Sequence, residues 1–217
     1  MNKYHKINTI FKRTKCGELI VGEYSQPEFE YLKDNIWVLT EKVDGTNIRV
    51  FWDGDRVWFG GKSDNAQMPI FLLYKLRTLF DSEKTKETFK LIFPKENEPL
   101  EVCLYGEGYG AKIQKGGGNY NPNGVDFVLF DVKIGDWWLK REDVEDIAQK
   151  LNIKIVPILG ETVLSEAIAM ATKGFNSQWG DFLAEGIVLK PKVELFTRNG
   201  HRVITKIKHK DFKNSNK

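Results

Sequence analysis

The sequence predicts a mixed α+β protein whose sheets are mainly antiparallel. Short segments in which apolar and polar residues alternate, as they do in strands, outnumber segments with the three-to-four spacing of helices. The two kinds of segment do not alternate regularly along the chain, as they would in a doubly wound parallel sheet. No repeat or low-complexity linker interrupts the 217 residues, and we therefore expect one domain over residues 1–217.

The N-terminal part of the chain is expected to contain strands and one long helix. Residues 2–41 predict short strands and turns, and residues 41–61 predict a β-hairpin. Lys42 would enter the turn of that hairpin, because Asp44-Gly45 is a turn pair in which glycine can adopt a positive φ. Residues 69–93 carry apolar side chains at helical spacing and predict a helix.

The remainder of the chain contains five predicted strands and two predicted helices. The strands lie over residues 100–105, 126–132, 153–158, 186–192 and 202–208. The first of them is expected to end in a turn at Gly106-Glu107-Gly108, which a flexible glycine-rich loop follows. Apolar periodicity predicts helices over residues 141–151 and 165–174, and Gly174 is suited to ending the second one.

Composition is that of a soluble globular protein. No apolar run approaches the roughly 20 residues that cross a bilayer, and the N-terminus lacks the apolar core of a signal peptide, so we expect a cytoplasmic protein without membrane contact. The two cysteines form no C-x-x-C pair, and reduced thiols are the simpler expectation. The three histidines show no metal-ligand spacing, and any metal ion is therefore expected to be bound by carboxylates.

Basic residues cluster locally, although the net charge is only +3. The larger cluster, in the last quarter of the chain, consists of Lys190, Lys192, Arg198, Arg202, Lys206, Lys208, Lys210 and Lys213. A smaller group in the middle consists of Lys112, Lys115, Lys133, Lys140 and Arg141. Such clusters are commonly solvated surface, but beside phosphate-binding motifs they favour a phosphate-facing patch.

The segment Lys42-Val43-Asp44-Gly45 is the most informative motif. A lysine becomes a nucleophile only where desolvation or neighbouring positive charge makes its proton easier to remove. By itself the tetrapeptide is equally compatible with an ordinary hairpin that carries a solvated lysine. Four further segments follow it in order: Tyr105-Gly106-Glu107-Gly108, Phe127-Val128-Leu129-Phe130-Asp131, Ala184-Glu185-Gly186-Ile187 and Thr205-Lys206-Ile207-Lys208.

In this order the five segments resemble the signature of the covalent nucleotidyltransferases, and most closely that of ATP-dependent RNA ligases of the phage T4 nick-sealing type. The resemblance runs from about Trp37 to Phe212. It implies the nucleotidyltransferase fold and the joining of RNA 3′-hydroxyl and 5′-phosphate ends through a lysyl-AMP intermediate on Lys42. ATP would be the substrate, RNA the partner, and Mg²⁺ or Mn²⁺ the cofactor.

The resemblance also implies a role for each matching residue. Nucleotide binding is implied for Glu41, Asn47, Lys62, Glu107, Phe130, Lys190, Lys206 and Lys208. Glu185 would hold the metal ion, and Asp44 and Asp131 would serve the polynucleotide steps.

Two expectations about side-chain direction follow from strand periodicity. Lys206 and Lys208 should emerge on one face of a strand, where together with a divalent cation they would disfavour the charged form of Lys42 and hold a phosphate. Phe127 and Phe130 should face opposite sides, so that one can stack on a base while the other packs in the core. The resemblance implies that Phe130 is the stacking residue, and Asp131 beside it would then point away from the base.

Two residues depart from the nick-sealing pattern, because Lys62 stands where those ligases usually carry arginine and Asp44 where the T4-type enzyme has histidine. Nine residues follow Lys208, so we expect a catalytic core without an appended OB-fold or helical domain. RNA would be held by this core, or by an accessory protein or domain in trans. The alternatives are a DNA ligase, an mRNA-capping nucleotidyltransferase, or a non-catalytic RNA-binding module on the same fold. If the chain is of phage origin, its compartment would be the host cytoplasm.

Overall fold

The computed structural model describes residues 3–94 and 101–212, where the mixed α+β class is confirmed. In chain order, the thirteen strands of these residues are β1 (Asn8–Thr9), β2 (Phe11–Arg13), β3 (Leu19–Tyr24), β4 (Trp37–Glu41), β5 (Thr46–Trp52), β6 (Val57–Gly60), β7 (Val102–Gly110), β8 (Val125–Ile134), β9 (Trp137–Trp138), β10 (Lys154–Ile155), β11 (Ile158–Thr162), β12 (Gly186–Pro191) and β13 (Thr205–Lys208). The six α-helices of the same residues are α1 (Pro27–Tyr31), α2 (Ile70–Phe80), α3 (Glu83–Ile92), α4 (Gly117–Tyr120), α5 (Arg141–Lys150) and α6 (Leu164–Lys173), and a 3-10 helix covers His209–Phe212. Three predicted positions, Asn2, Leu100 and Lys213, lie outside the described residues.

The chain divides into two compact units. Unit 1 contains the described residues of Met1–Tyr4 and Asp44–Val156, and unit 2 contains those of His5–Val43 and Pro157–Lys217. The sheet of unit 1 has the strand order β10-β8-β7-β5-β6, with β9 paired to β8. The sheet of unit 2 has the order β1-β13-β12-β4-β11, and β2 and β3 form a separate antiparallel pair. Strand pairing is antiparallel except between β10 and β8 and between β1 and β13.

The predicted hairpin over residues 41–61 is only partly correct. β5 and β6 do pair as a hairpin, but β4 pairs with β11 on one side and β12 on the other, so it has no edge left for β5. The prediction that Lys42 enters a hairpin turn is therefore wrong. Gly45 is needed for space, because a Cβ atom there would lie 2.3 Å from the Gly108 carbonyl oxygen.

Helices cover one face of the unit 1 sheet. Leu72, Leu76 and Phe80, each about one helical turn from the next on α2, are fully buried against it. Two helices form where the sequence predicted one over residues 69–93. The second helix, α3, begins after Ser82, because the Ser82 hydroxyl oxygen accepts a hydrogen bond from the Thr85 N–H and caps it. Helix α5 matches its prediction and packs in the same core.

β7 is longer than predicted. Gly106, Glu107 and Gly108, which were expected to form a turn, lie within the strand and pair with both β5 and β8. A Cβ atom on Gly106 would lie 2.2 Å from the Phe127 ring. Glycine is therefore needed here for close packing within a sheet, and the turn prediction was wrong because it took glycine as a turn signal.

Unit 2 packs α6 against its own sheet. Leu164, Ala167 and Ala171 of α6 lie in a core with Trp37 of β4, among other buried residues. Gly174 ends this helix with a φ of 82°, as predicted.

The strand predicted over residues 153–158 is two strands in different sheets. β10 pairs with β8, whereas β11 pairs with β4. Pro157 lies between them and has no backbone N–H with which a ladder could continue.

No helix within residues 3–94 and 101–212 is long and apolar enough to span a membrane.

Candidate active site

Three motif residues of unit 2 meet where β4, β12 and β13 lie side by side. Lys42 directly follows β4, Glu185 directly precedes β12, and Lys208 ends β13. The Lys42 N–H donates to the Gly186 carbonyl at 2.9 Å, and the His209 N–H donates to the Glu185 carbonyl at 3.0 Å. Backbone hydrogen bonds thus hold together three segments that lie far apart in the sequence.

The Glu185 carboxylate contacts both lysines. The Lys42 Nζ lies 2.6 Å from Glu185 Oε2, and the Lys208 Nζ lies 2.6 Å from Glu185 Oε1. The three side chains are largely buried, with 20%, 22% and 12% exposure for Lys42, Lys208 and Glu185. The structure therefore joins Lys42 to a lysine of the C-terminal motif through one carboxylate, in agreement with the proximity that the resemblance implies.

This arrangement changes the predicted electrostatics. Burial acts to raise the pKa of the Glu185 carboxyl, but the Lys42 and Lys208 ammonium groups outweigh it and hold that pKa below its ordinary value. The charged group that contacts Lys42 at 2.6 Å is thus a carboxylate. The sequence predicted Lys206, Lys208 and a divalent cation near Lys42. In the structure, the Glu185 carboxylate lies between Lys42 and Lys208.

The strand register places the other lysines of this set on one face of the sheet. Val188 lies opposite both Lys206 and Thr40, and Gly186 lies opposite Lys208. Residues opposite one another in a sheet share a face, as do residues two apart on one strand. Lys190, Lys206 and Lys208 therefore lie on the same face, which confirms the predicted alternation of β13.

Glu41 faces the opposite side, because its register partner is the buried Ile187. Its carboxylate is 1% exposed and accepts hydrogen bonds from the Ser177 hydroxyl and, at 2.8 Å, from the Gln178 N–H. Burial raises the pKa of Glu41, and these two hydrogen bonds offset the rise in part. The described contacts of Glu41 hold the loop after α6, so a nucleotide contact for this residue stays a prediction.

The basic cluster of the last quarter is divided between surface and structural roles. Arg202 is 5% exposed and binds Glu194 through two hydrogen bonds of 2.7 Å. Lys192 pairs with Glu161 at 2.8 Å on the surface. Arg202 is therefore a structural residue of this cluster, and its assignment to a phosphate-facing patch is wrong.

Unit 1 carries a second set of motif residues, which share the sheet face that its helices leave uncovered. Asn47 of β5 lies opposite Glu107 of β7, and Arg49, two residues further along β5, lies opposite Tyr105. Tyr105 in turn lies opposite Asp131 of β8. The alternate residues of β5, such as Ile48, point into the helix-covered core. Glu107 is thus in the middle of a strand and not at its end, but its side chain is on the same face as Asn47.

Asn47 has an unused hydrogen-bonding atom on this face. Its Oδ1 is buried and accepts no hydrogen bond from the described residues. Buried polar atoms of folded proteins are nearly always hydrogen-bonded, and an atom without a partner calls for a specific reason. A hydrogen-bond donor on a bound ligand would provide one, and this agrees with the nucleotide contact predicted for Asn47.

Lys62 is exposed on the turn that follows β6. The buried Arg49 donates from Nε to the Gly61 carbonyl at 2.8 Å and from Nη2 to the Asp64 carboxylate at 2.9 Å. Arg49 therefore contacts this turn on both sides of Lys62, through a backbone carbonyl before it and a side-chain carboxylate after it. The sequence offered no signal for this role, because Arg49 occupies an ordinary outward position in the alternation of β5.

Phe130 and Asp131 do not point to opposite sides. Tyr105 pairs with Asp131 while the next residue, Gly106, pairs with Leu129, which leaves Phe130 as the extra residue of a β-bulge. Both side chains contact Tyr4, whose ring centroid lies 5.1 Å from that of Phe130 and whose hydroxyl donates to Asp131 Oδ2 at 2.6 Å. The predicted orientation of Asp131 is wrong because the bulge shifts the alternation of β8 by one residue. Phe127 is buried in the helix-covered core, as one of the two phenylalanines was expected to be.

Asp44 holds the glycine-rich segment of unit 1. Its Oδ2 accepts a hydrogen bond from the Gly116 N–H at 3.0 Å, and a Cβ atom on Gly116 would lie 2.6 Å from the same oxygen. The segment then forms the one-turn helix α4, which begins at Gly117. The loop that was expected to be flexible is therefore anchored to a motif residue, and its glycines allow the approach.

A model of the RNA ligase family matches residues 35–208 of this chain. The chain belongs to the RNA ligase family. The match covers all five motifs, from Lys42 to Lys208, and confirms the family predicted from their order.

Solved structures of Naegleria gruberi RNA ligase are similar to this RNA ligase family member in fold. The structure with PPi has a TM-score of 0.63 and 22% identity, and the alignment covers 98% of this chain and 64% of that chain. A mutant with ATP and Mn has a TM-score of 0.63 and 22% identity over 95% of this chain and 63% of that one, and a mutant with AMP and Mn has a TM-score of 0.63 and 21% identity over 95% and 62%. The chain thus spans less than two thirds of the length of these relatives.

Glu185 of this family member is suited to be one ligand of a divalent cation. Within the described residues, no group of three or more histidine, cysteine, aspartate or glutamate side chains could enclose a metal ion. Mg²⁺ is commonly bound by one or two carboxylates plus waters and substrate phosphates. Glu185, whose lowered pKa keeps it ionised, matches that requirement.

Proposed function

We propose that this protein is an ATP-dependent RNA ligase that joins RNA 3′-hydroxyl and 5′-phosphate ends through a lysyl-AMP intermediate on Lys42. The observation that carries the proposal is the contact of Lys42 and Lys208 with one buried carboxylate, in a chain of the RNA ligase family. The similarity to N. gruberi RNA ligase structures with ATP, AMP, PPi and Mn supports ATP as substrate and a divalent cation as cofactor.

In the first step, the Lys42 Nζ attacks the α-phosphorus of ATP. A bond forms between nitrogen and phosphorus, the bond to the bridging oxygen breaks, and pyrophosphate leaves. The lone pair of Nζ becomes available only when the 2.6 Å contact with Glu185 is released and the ammonium has lost a proton. Lys206 and Lys208, on one face of β13, are suited to neutralise charge that develops on the phosphate oxygens.

A divalent cation bound by Glu185 would draw negative charge away from Lys42 and would stabilise charge on the phosphates. Either Mg²⁺ or Mn²⁺ is compatible with a single carboxylate ligand. Glu185 is therefore proposed to serve the cation when ATP is bound and Lys42 when it is not.

Two transfers to RNA complete the proposed reaction. The 5′-phosphate of one RNA end attacks the phosphorus of lysyl-AMP, which restores the Lys42 amine and leaves a 5′,5′-pyrophosphate bond. The 3′-hydroxyl of the other end then attacks the RNA phosphorus, and AMP leaves as the phosphodiester forms. Among the residues implied in polynucleotide steps, Asp44 holds the glycine-rich segment and Asp131 lies beside Phe130.

The test is labelling with α-³²P-ATP, followed by denaturing electrophoresis and by sealing of matched nicked and single-stranded RNA substrates. We expect a covalent adduct that Lys42→Ala abolishes and that Lys192→Ala, a change at an exposed lysine of the same unit, leaves intact. An adduct with GTP alone would indicate a capping enzyme, and sealing of DNA but not RNA would indicate a DNA ligase. The absence of any adduct would favour a non-catalytic RNA-binding module. Cytoplasmic localisation and an accessory protein or domain in trans stay predictions.

A further inference from the structure

Tyr4 lies on the face of unit 1 that carries Asn47, Glu107, Phe130 and Asp131, although it precedes the residues matched by the family model. Besides its contacts with Phe130 and Asp131, its ring centroid lies 5.1 Å from that of Tyr105 and 5.7 Å from that of Trp138. A residue near the start of the chain is thus packed into an aromatic cluster beside the motif residues.

The Tyr4 hydroxyl is well placed to hold the Asp131 carboxylate. Asp131 is 2% exposed, so water hydrates its carboxylate poorly, and the hydroxyl donates to its Oδ2 at 2.6 Å. A buried carboxylate takes its orientation from the donors that reach it, and an O–H donor at this distance forms a charge-assisted hydrogen bond.

The Tyr4 ring constrains Phe130. The two rings meet edge to face, with an interplanar angle of 74°. Phe130 is the extra residue of the β-bulge in β8. Phe130 has no register partner across the sheet, so the direction of its ring depends on side-chain packing more than on the ladder. The same tyrosine therefore contacts both consecutive residues of the motif through different parts of its side chain.

We propose that Tyr4 is a positioning residue of the ligase reaction, whose hydroxyl orients Asp131 for the RNA steps and whose ring orients Phe130 for binding of the nucleotide base. This rests on the proposed function. The two effects are separable, because Tyr4→Phe removes the hydroxyl and keeps the ring, whereas Tyr4→Ala removes both.

The experiment compares Tyr4→Phe, Tyr4→Ala, Asp131→Asn and the double variant Tyr4→Phe/Asp131→Asn, with the 86% exposed Tyr31→Phe as the matched control. Single-turnover assays measure Lys42 adenylylation at varied ATP concentration and, separately, sealing of RNA that already carries a 5′-adenylate. The Kd for ATP is measured in a Lys42→Ala background, where no covalent adduct can form.

We expect Tyr4→Phe to slow sealing of the adenylylated RNA by about 10- to 100-fold, the range given by loss of a hydrogen bond to a charged group, without changing the Kd for ATP. Tyr4→Ala should slow sealing similarly and also weaken ATP binding several-fold. The double variant should seal no more slowly than Asp131→Asn alone, because the hydroxyl acts through that carboxylate.

Wild-type sealing by Tyr4→Phe, or a double variant whose loss is the product of the two single losses, would overturn the assignment of the hydroxyl. Tighter ATP binding by Tyr4→Ala would show that the ring obstructs the base and would overturn its positioning role. If the wild-type protein seals RNA and the Tyr4 variants seal it equally well, only this inference is contradicted. A wild-type protein that neither binds ATP nor forms the adduct removes the proposed function, and this inference with it.

Discussion

Replacing Glu185 by glutamine tests whether one carboxylate joins the two motif lysines of unit 2. Glutamine keeps the shape of the side chain and one acceptor oxygen, but it removes the negative charge between Lys42 and Lys208. Both contacts are 2.6 Å long and largely buried, so solvent screens them only in part. The substitution therefore leaves two ammonium groups close together without their shared counter-charge.

The expected loss of unfolding free energy is about 2–4 kcal/mol at pH 7, because hydrogen bonds to charged groups contribute about 1.5–3 kcal/mol each and one acceptor is retained. The matched control is Glu161→Gln, since Glu161 is 43% exposed and pairs with the 62% exposed Lys192 at 2.8 Å. A surface pair of this kind contributes about 1 kcal/mol or less. The loss of unfolding free energy in Glu185→Gln should thus be roughly three times the loss in Glu161→Gln.

The sign of the pH dependence follows from the lowered pKa of Glu185. A carboxyl with a folded-state pKa below its unfolded value of about 4.3 contributes stability above that pH, and the contribution is lost as the pH falls through the folded value. The difference between wild type and Glu185→Gln should therefore be largest near neutrality and should shrink below pH 4 to 5.

Urea unfolding at pH 7 and at a series of lower pH values, followed by tryptophan fluorescence, measures these differences. If Glu185→Gln were no less stable than Glu161→Gln at pH 7, the shared carboxylate would contribute no more than a surface pair. A stability difference that grew as the pH fell would refute the assignment of an ionised Glu185 between two ammonium groups.

Three further predictions concern packing, a buried hydrogen bond and RNA binding. Gly106→Ala should lower the unfolding free energy by about 2–3 kcal/mol, because its Cβ would meet the Phe127 ring, whereas Gly118→Ala has no atom within 4 Å and should cost far less in the same urea titration. Ser177→Ala should cost about 1–3 kcal/mol, because it removes a donor to the buried Glu41 carboxylate, and Ser177→Thr should restore part of that loss in parallel thermal melts. RNA affinity, measured by filter binding, should fall linearly on a log–log plot against NaCl, and a flat plot would contradict phosphate contacts by the basic face.

Much of the candidate site could be read from local sequence. Alternation along β13 placed Lys206 and Lys208 on one face. The proximity of Lys42 to Lys208 came instead from the family resemblance and not from a local pattern. The helix α6 and its end at Gly174 also followed from local signals. These predictions succeeded because periodicity and helix-ending residues act over a few neighbouring positions.

Two predictions that took glycine as a signal for a turn or a flexible loop were wrong. The glycines around Glu107 predicted a turn, but they provide space for Phe127 and Leu72 within a continuous sheet. Gly116 belongs to a segment expected to be flexible, but it allows a close approach to Asp44. The sequence shows only that glycine has no side chain. The packing of neighbouring elements decides whether a glycine is needed for a turn or for a close contact.

By itself, the sequence determined the alternation of strands such as β13, the identity of the chemical groups and the family to which they belong. The tertiary structure decided which strands pair, where the bulge shifts Phe130 and Asp131 to a common side, and which distant residue meets them. Tyr4 and Asp131 are 127 positions apart, and no local pattern records their contact. The physical reason is that periodicity reports burial along one segment, whereas partner choice depends on hydrogen bonds and packing between segments that only the folded chain brings together.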